Sequence, residues 1–212
     1  MLELLDNGIT PFGCEHIGRL LMPSVKSNLT HLKLDHNAFG AEGLKWLAEG
    51  LSMNKNIIQL SLTYCNIDET GARSLFEILI YTQSVLEEMI LSGNHLRNAG
   101  TIEVLKGTSV AKNLKKIYLA DNQFLEEDEV LEAIDMCMKR NTNLGRYDFR
   151  YNFISDYGVN KIIETITEAN HVFEIEIPER IEKETLEKFR DQIAANKPKK
   201  GKGKKGGKKK KK

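Results

Sequence analysis

A pattern that returns every 28 to 30 residues constrains this chain more than any other feature. Leu29, Leu32, Leu34, Asn37 and Phe39 open the first full copy. The same order, apolar-x-x-apolar-x-apolar-x-x-Asn-x-apolar, recurs from Ile57, Leu86, Leu114 and Leu144. The second copy carries Leu60, Leu62, Cys65 and Ile67, and the third Met89, Leu91, Asn94 and Leu96. The fourth carries Ile117, Leu119, Asn122 and Phe124, and the fifth Tyr147, Phe149, Asn152 and Ile154. A partial copy precedes them (Leu2, Leu4, Asn7, Ile9), and a degenerate one follows (Val172, Ile175, Ile177). Six residues after the asparagine stands a glycine, at Gly13, Gly43, Gly71, Gly100 and Gly158; the fourth copy has Asp128 there. A register this regular must be read before any single residue is.

Each part of the copy has a physical reading. The alternating apolar residues predict a short strand with its leucines turned inward. The asparagine ends that strand, and its amide can pair with main-chain groups of the turn that would otherwise be buried unpaired. Cys65 can do part of this with its weak thiol donor, so its expected role is structural. After the glycine the period becomes helical: Leu44, Leu47 and Leu51, then Leu75 and Leu79, then Ile162 and Ile166. One strand and one helix cannot bury their own apolar faces. Stacked copies can, with a parallel sheet lining the inside of a short arc and helices along the outside.

On these copies the sequence resembles leucine-rich repeats of the ribonuclease-inhibitor type, over about residues 2–177. The resemblance implies an α/β solenoid used as a scaffold for unrelated partners, so it carries little about function. GTPase-activating proteins for Ran share the repeat type, with an arginine-bearing loop near their N-terminal repeats and an acidic tail. Here the early arginines are Arg19, in a helical segment, and Arg73, and the tail is basic. Tropomodulin-like actin cappers also use such repeats, but their actin-binding helices have no visible counterpart.

The expected organisation is repeats over 1–177, a closing segment over 178–196 and a tail over 197–212. Pro178 stops the last strand, and Leu186, Phe189 and Ile193 share one face of an amphipathic helix over 179–196 that caps the core. Met1 falls inside the first strand, which leaves an edge for a partner to cover or marks a piece of a longer chain. The tail holds 11 lysines and no acid, while residues 1–196 hold 20 basic and 30 acidic side chains, a net charge of −10. An acidic body is thus joined to a basic tail, and the overall charge of +1 hides both. The tail's composition predicts that it does not fold. Lys199, Lys200, Lys204, Lys205, Lys208, Lys209 and Lys210 are its candidate electrostatic anchor, for an acidic protein, nucleic acid or anionic lipid. It can also serve as a nuclear import signal, or merely as a solubilising segment resting on the acidic body. Without serine or threonine it fails the phosphate-loop pattern.

Catalytic and cofactor patterns are missing from the sequence. The five histidines, His16, His31, His36, His95 and His171, lack ligand spacing, and no nucleophile elbow or zinc-hydrolase motif occurs. The acidic clusters Glu87–Glu88 and Glu126–Glu129 are read as loop or helix starts, where the helix dipole favours acid. Three cysteines, Cys14, Cys65 and Cys137, are an odd number and suggest a reducing compartment. No run of 18 apolar residues occurs, and the N-terminus is not a secretory signal.

The expected binding surface is the concave face. Its fifth positions read Glu3, Lys33, Ser61, Ile90, Tyr118, Asp148 and Glu176, and its eighth Asp6, His36, Tyr64, Gly93, Asp121 and Tyr151. Aromatics and arginine dominate interface hot spots. Tyr64, Ile90, Tyr118, Asp148, Arg150 and Tyr151 are therefore the candidate protein-binding patch. Trp46 is expected to pack partly against a neighbouring helix. The expected function is a non-catalytic protein-interaction scaffold that needs no cofactor, cytoplasmic and of a cytoskeletal or ciliary kind. The alternatives are a small-GTPase regulator of the Ran-activating kind and a nuclear or RNA-associated factor recruited by the tail.

Overall fold

One residue of each copy lies directly across from its counterpart in the next. Leu2, Leu32, Leu60, Met89, Ile117, Tyr147 and Ile175 form a single register line across the sheet. The computed structural model describes residues 1–198. Within them seven parallel strands pair in chain order: β1 (Leu2–Glu3), β2 (His31–Lys33), β3 (Gln59–Ser61), β4 (Glu88–Ile90), β5 (Lys116–Tyr118), β6 (Arg146–Asp148) and β7 (Glu174–Glu176). The helices α1 (Pro11–Leu21), α2 (Gly40–Leu51), α3 (Ala72–Ile80), α4 (Arg97–Thr108), α5 (Asp128–Arg140), α6 (Asp156–Glu168) and α7 (Lys183–Asn196) alternate with them. Each helix packs on the next, and the core lies between the helix row and the sheet. The inward pair is buried from β2 to β7, as Leu32 and Leu34 show, and only partly buried in β1, at Leu2 and Leu4.

The asparagines tie neighbouring copies together. Asn94 accepts at Oδ1 from the main-chain N–H groups of Cys65 (3.1 Å) and Ile67 (3.0 Å). Its Nδ2 donates to the carbonyls of Leu62 and Leu91, both at 2.8 Å. Asn37 does the same for Asn7, Ile9, Leu4 and Leu34. The amide thus serves the preceding copy as well as its own turn. Cys65 supplies only the donor half, its thiol reaching Leu34 O at 3.3 Å. Burial pushes the thiols of Cys14, Cys65 and Cys137 up to about 12, which leaves all three inert.

The glycine slot has a steric cause. A Cβ at Gly43 would lie 2.6 Å from Phe39 Cβ, the apolar residue that follows the asparagine slot. The helix starts directly over that side chain, so nothing larger than hydrogen fits.

Two backbone features were not visible in the pattern. Every residue just before the asparagine slot is left-handed: Asp6, His36, Tyr64, Gly93, Asp121 and Tyr151 have φ between 51° and 72°. The turn beyond the slot also alternates. In the copies with Asn7, Cys65 and Asn122 the next left-handed residue follows at once (Gly8, Asn66, Gln123). In those with Asn37 and Asn94 it comes later, at Gly40 and Arg97, and donates to the following slot's carbonyl on Cys65 or Asn122.

Two expectations shift in detail. The closing helix begins at Lys183 rather than at 179. Glu88 is a strand residue, not a helix start, because it lies across from Lys116 and pairs with it.

Candidate protein-binding surface

The strands set their outward side chains in two rows on the concave face. In the row through His31, Gln59, Glu88, Lys116, Arg146 and Glu174, Glu88 faces Lys116 and Arg146 faces Glu174, with the like-charged Lys116 and Arg146 side by side between them. Lys116 Nζ meets Glu88 at 3.0 Å and Arg146 Nε meets Glu174 at 3.0 Å. The second row carries Lys33 against Glu3 and, two strands on, Ile90 beside Tyr118. Asp35 is engaged by Ser61 Oγ (2.6 Å) and Thr63 N (2.8 Å). Much of the charge on this face is therefore paired locally. The centre, around Ile90, Ser92 and Ala120, stays neutral.

The six candidate residues separate into a centre and a flank. Ile90 and Tyr118 are direct cross-strand neighbours, both half-buried. Desolvation, with the carboxylates of Glu88 and Glu174 nearby, raises the Tyr118 phenol above its ordinary value, so it presents a neutral hydroxyl. Tyr64 is 49% exposed, and its ring lies over Gly93, where a Cβ would come within 2.2 Å of Cε1. It stacks on His36 at 5.1 Å between centroids and reaches Asp121 Oδ2 at 3.3 Å. One tyrosine thereby touches three other copies, through His36, Gly93 and Asp121.

On the flank, Asp148 sits elsewhere than a contact residue would. Its side chain is 3% exposed, and its carboxylate holds Arg150 from both sides. Arg150 Nε and Nη2 donate to Oδ1 (3.0 Å) and Oδ2 (2.7 Å), and Arg150 N adds a third bond to Oδ1. The pairing raises the arginine's pKa further above its ordinary value. Asp148 thus positions Arg150, which with the 63% exposed Tyr151 faces solvent.

An apolar patch beside this flank escaped the sequence reading. Phe153 is 62% exposed and Leu125 and Tyr157 are also exposed, at the rim where strands run into helices. Tyr151, Phe153, Ile154 and Pro178 line a cavity of about 670 Å³ there. The signal was present: Phe153 occupies the slot held elsewhere by Gly8, Ala38, Asn66, His95 and Gln123.

His31 lies in β2 on the concave face, and Trp46 is partly buried against the core. Arg19 pairs with Glu15, and Arg73 with Glu77 and Glu103. Among the described residues no group of three or more His, Cys, Asp or Glu could hold a metal ion. No helix among them is long and apolar enough to cross a membrane. The anchor lysines Lys199, Lys200, Lys204, Lys205, Lys208, Lys209 and Lys210, and the expectation that the tail does not fold, lie outside the described residues.

Comparison with known proteins agrees with this geometry. A leucine-rich repeat family model matches residues 25–48 and 54–76. Human NACHT, LRR and PYD domains-containing protein 3 is 36% identical over 138 residues, 63% of this chain and 13% of that protein. Mouse ribonuclease inhibitor is 33% identical over 107 residues, 50% of this chain and 23% of the inhibitor. The chain therefore spans less than a quarter of either relative. Among solved structures, a tropomodulin C-terminal domain from Caenorhabditis elegans superposes with a TM-score of 0.61 at 20% identity, covering 74% of this chain and 92% of that one. A leiomodin-1 structure titled actin-binding site 2 gives 0.57 at 15% identity, covering 74% and 88%. At such identities the likeness is one of fold.

Proposed function

The chain is a leucine-rich repeat protein of the ribonuclease-inhibitor type, and from that premise we infer that it is a non-catalytic scaffold that binds a protein on its concave face. One observation carries the reading. Ion pairs engage Lys33, Glu88, Lys116, Arg146 and Arg150 on that face, and between them lies a neutral, aromatic centre at Tyr64, Ile90 and Tyr118, bordered by Arg150 and Tyr151. A partner offering an apolar or aromatic protrusion gains buried area there without having to desolvate a free charge. The hydroxyls of Tyr64 and Tyr118 supply polar contacts, and Arg150, held rigid by Asp148 through Nε and Nη2, offers its remaining N–H groups to a carboxylate or carbonyl.

The lysine tail acts in this proposal as an electrostatic anchor that raises encounter rates with acidic surfaces. The scaffold works in the cytoplasm, a placement in keeping with three free, buried thiols. The names of a relative and of a structural neighbour mention a ribonuclease and an actin-binding site. Fold alone transfers neither partner, and both belong in the test as comparison arms.

The test is quantitative capture from native lysate with the full chain, a Tyr118→Ala/Arg150→Ala variant and a full-length variant with its tail lysines changed to glutamine. Partners lost with the first variant but kept with the second at moderate salt support the concave face. Each alanine is expected to weaken a purified complex by more than about 1 kcal/mol. If every partner survives the first variant and is lost with the second, charge alone recruits and the concave reading fails. Stimulation of GTP hydrolysis by Ran would replace it with the regulator reading.

A further inference from the structure

The charge row of the sheet breaks its alternation between β5 and β6. Lys116 and Arg146 are direct cross-strand neighbours of like charge. Their carboxylate partners stand on the outer sides, Glu88 on β4 and Glu174 on β7. The interval between β5 and β6 thus has a cation on each side and no acid of the row within it. Like charges directly opposite one another destabilise a sheet.

The main chain is open at the same interval. In four copies the residue before the strand donates to the carbonyl of its counterpart in the preceding copy. Ile58 N meets Thr30 O at 2.7 Å, Glu87 N meets Ile58 O at 2.8 Å, Lys115 N meets Glu87 O at 2.8 Å and Phe173 N meets Gly145 O at 3.1 Å. The counterpart in the fifth copy is Gly145, whose N–H has no partner among the described residues. Gly145 is buried, so this donor is orphaned. It carries no side chain, and the ring of Phe173 lies over it, where a Cβ would come within 2.4 Å of Cε1. A cavity of about 470 Å³ opens there, lined by four cations, Lys112, Lys115, Lys116 and Arg146, against one carboxylate, Glu87. Lys112 is exposed and has no ion-pair partner among the described residues. Lys115 meets Glu87 at 2.6 Å in a pair that is itself half-exposed and therefore weak. With Glu88 and Glu174 counted, four positive charges still stand against three negative ones, on a body whose net charge is −10.

We propose that this cavity binds a phosphoryl group. One of its oxygens accepts from Gly145 N. The others lie between Lys116 and Arg146, where they relieve the like-charge contact, and Lys112 and Lys115 complete the cationic lining. A phosphate monoester brings nearly two negative charges and three acceptor oxygens, which suits donors converging from two strands and a loop. A single carboxylate brings half that charge and is best met by an open guanidinium fork. Arg146 has none to offer, because its Nε is given to Glu174. The proposal stands apart from the reading of the aromatic centre and uses none of its residues.

The experiment titrates the full-length, isotopically labelled protein at moderate salt with inorganic pyrophosphate, with a short peptide carrying one phosphoserine, and with the same peptide unphosphorylated. Amide NMR reads the site directly. The expected result is saturable binding of a phosphorylated probe with its largest shift at the Gly145 amide, and no such shift from the unphosphorylated peptide, a comparison that requires no protein variant. Tighter binding of the phosphopeptide makes a phosphorylated protein the source of the group, and tighter binding of pyrophosphate a free ligand; both support the site. Affinity should fall about tenfold in the double variant Lys116→Gln/Arg146→Gln. It should be unchanged in a full-length variant whose tail lysines are changed to glutamine. The proposal is overturned if neither phosphorylated probe moves the Gly145 amide, or if succinate, a dicarboxylate, moves it with equal affinity. It also fails if the response is lost with the tail lysines but kept without Lys116 and Arg146.

Discussion

The helices of the partial and first full copies and those of the fourth and fifth occupy the same places in the repeat but meet in different ways. Thirteen residues after the asparagine slot, α2 carries Gly50, α5 Asp135 and α6 Thr165. At the N-terminal end a Cβ on Gly50 would lie 2.2 Å from the carbonyl oxygen of Gly18, and one on Gly18 2.2 Å from that of Trp46. Main chain there rests on main chain. At the other end Thr165 Oγ1 donates to Asp135 at 2.7 Å, and Lys139 bridges Asp135 and Glu168, both at 2.9 Å. Side chains hold α5 and α6 apart there, and a groove of about 390 Å³ runs between them. The strands keep the same pairing throughout, so helix spacing sets the local bend of the arc. Gly18 and Gly50 together permit the close approach at the N-terminal end.

The largest effect should come from filling the tight contact. Gly50→Val has no room to relax against backbone and is expected to cost about 3 kcal/mol, read by chemical denaturation. A cost below about 1 kcal/mol would show that the two ends pack alike. Next come the asparagines. Asn94→Ala abandons two main-chain donors and two acceptors and should cost about 2 kcal/mol. Asn122→Ala should cost visibly less, because the buried Oδ1 of Asn122 has no partner to lose among the described residues.

The thiols do not distinguish the ends, and pH should show it. Cys14 at the tight end and Cys137 at the loose end are both pushed from 9.0 to about 12 by burial. Below the ordinary value folded and unfolded chains both keep the proton. Above it only the folded chain does, so the stability is full below about 9 and is lost as pH rises towards 12. Cys14→Ala and Cys137→Ala should each flatten that decline, measured as denaturation midpoints across the window. The smallest effect is at the loose contact: Thr165→Val removes one hydrogen bond and keeps the shape, for about 1 kcal/mol.

Much of the fold could be read from residue types because the repeat states each constraint several times over. The inward line from Leu2 to Ile175, the asparagine slot and the glycine slot each recur, so one exception such as Cys65 or Asp128 does not obscure them. The left-handed residues before the slot were illegible for the opposite reason. Gly93 advertises its conformation outright and Asp6, His36 and Asp121 only weakly, while Tyr64 and Tyr151 adopt it under the hold of the hydrogen bonds on either side. A second set of asparagines was missed because only some copies use it: Asn54 bonds Leu21 O, and Asn141 bonds Thr108 O and Ala111 O. At the candidate site, strand alternation correctly turned Tyr118 and Ile90 outward. It could not show that Arg150, two residues on, folds back and occupies Asp148. Nor does alternation reach the rim, where Phe153 stands exposed.

The left-handed row has a consequence for how such a surface can change over generations. Its backbone is dictated from beneath, by asparagines that never see a partner, while its side chains stand on the rim. Histidine, tyrosine, glycine and aspartate already share that conformation along one edge. Lettering and frame are inherited separately there. A lineage is free to rewrite the edge one position at a time, within the residues that tolerate the bend, and the core beneath it need not be renegotiated.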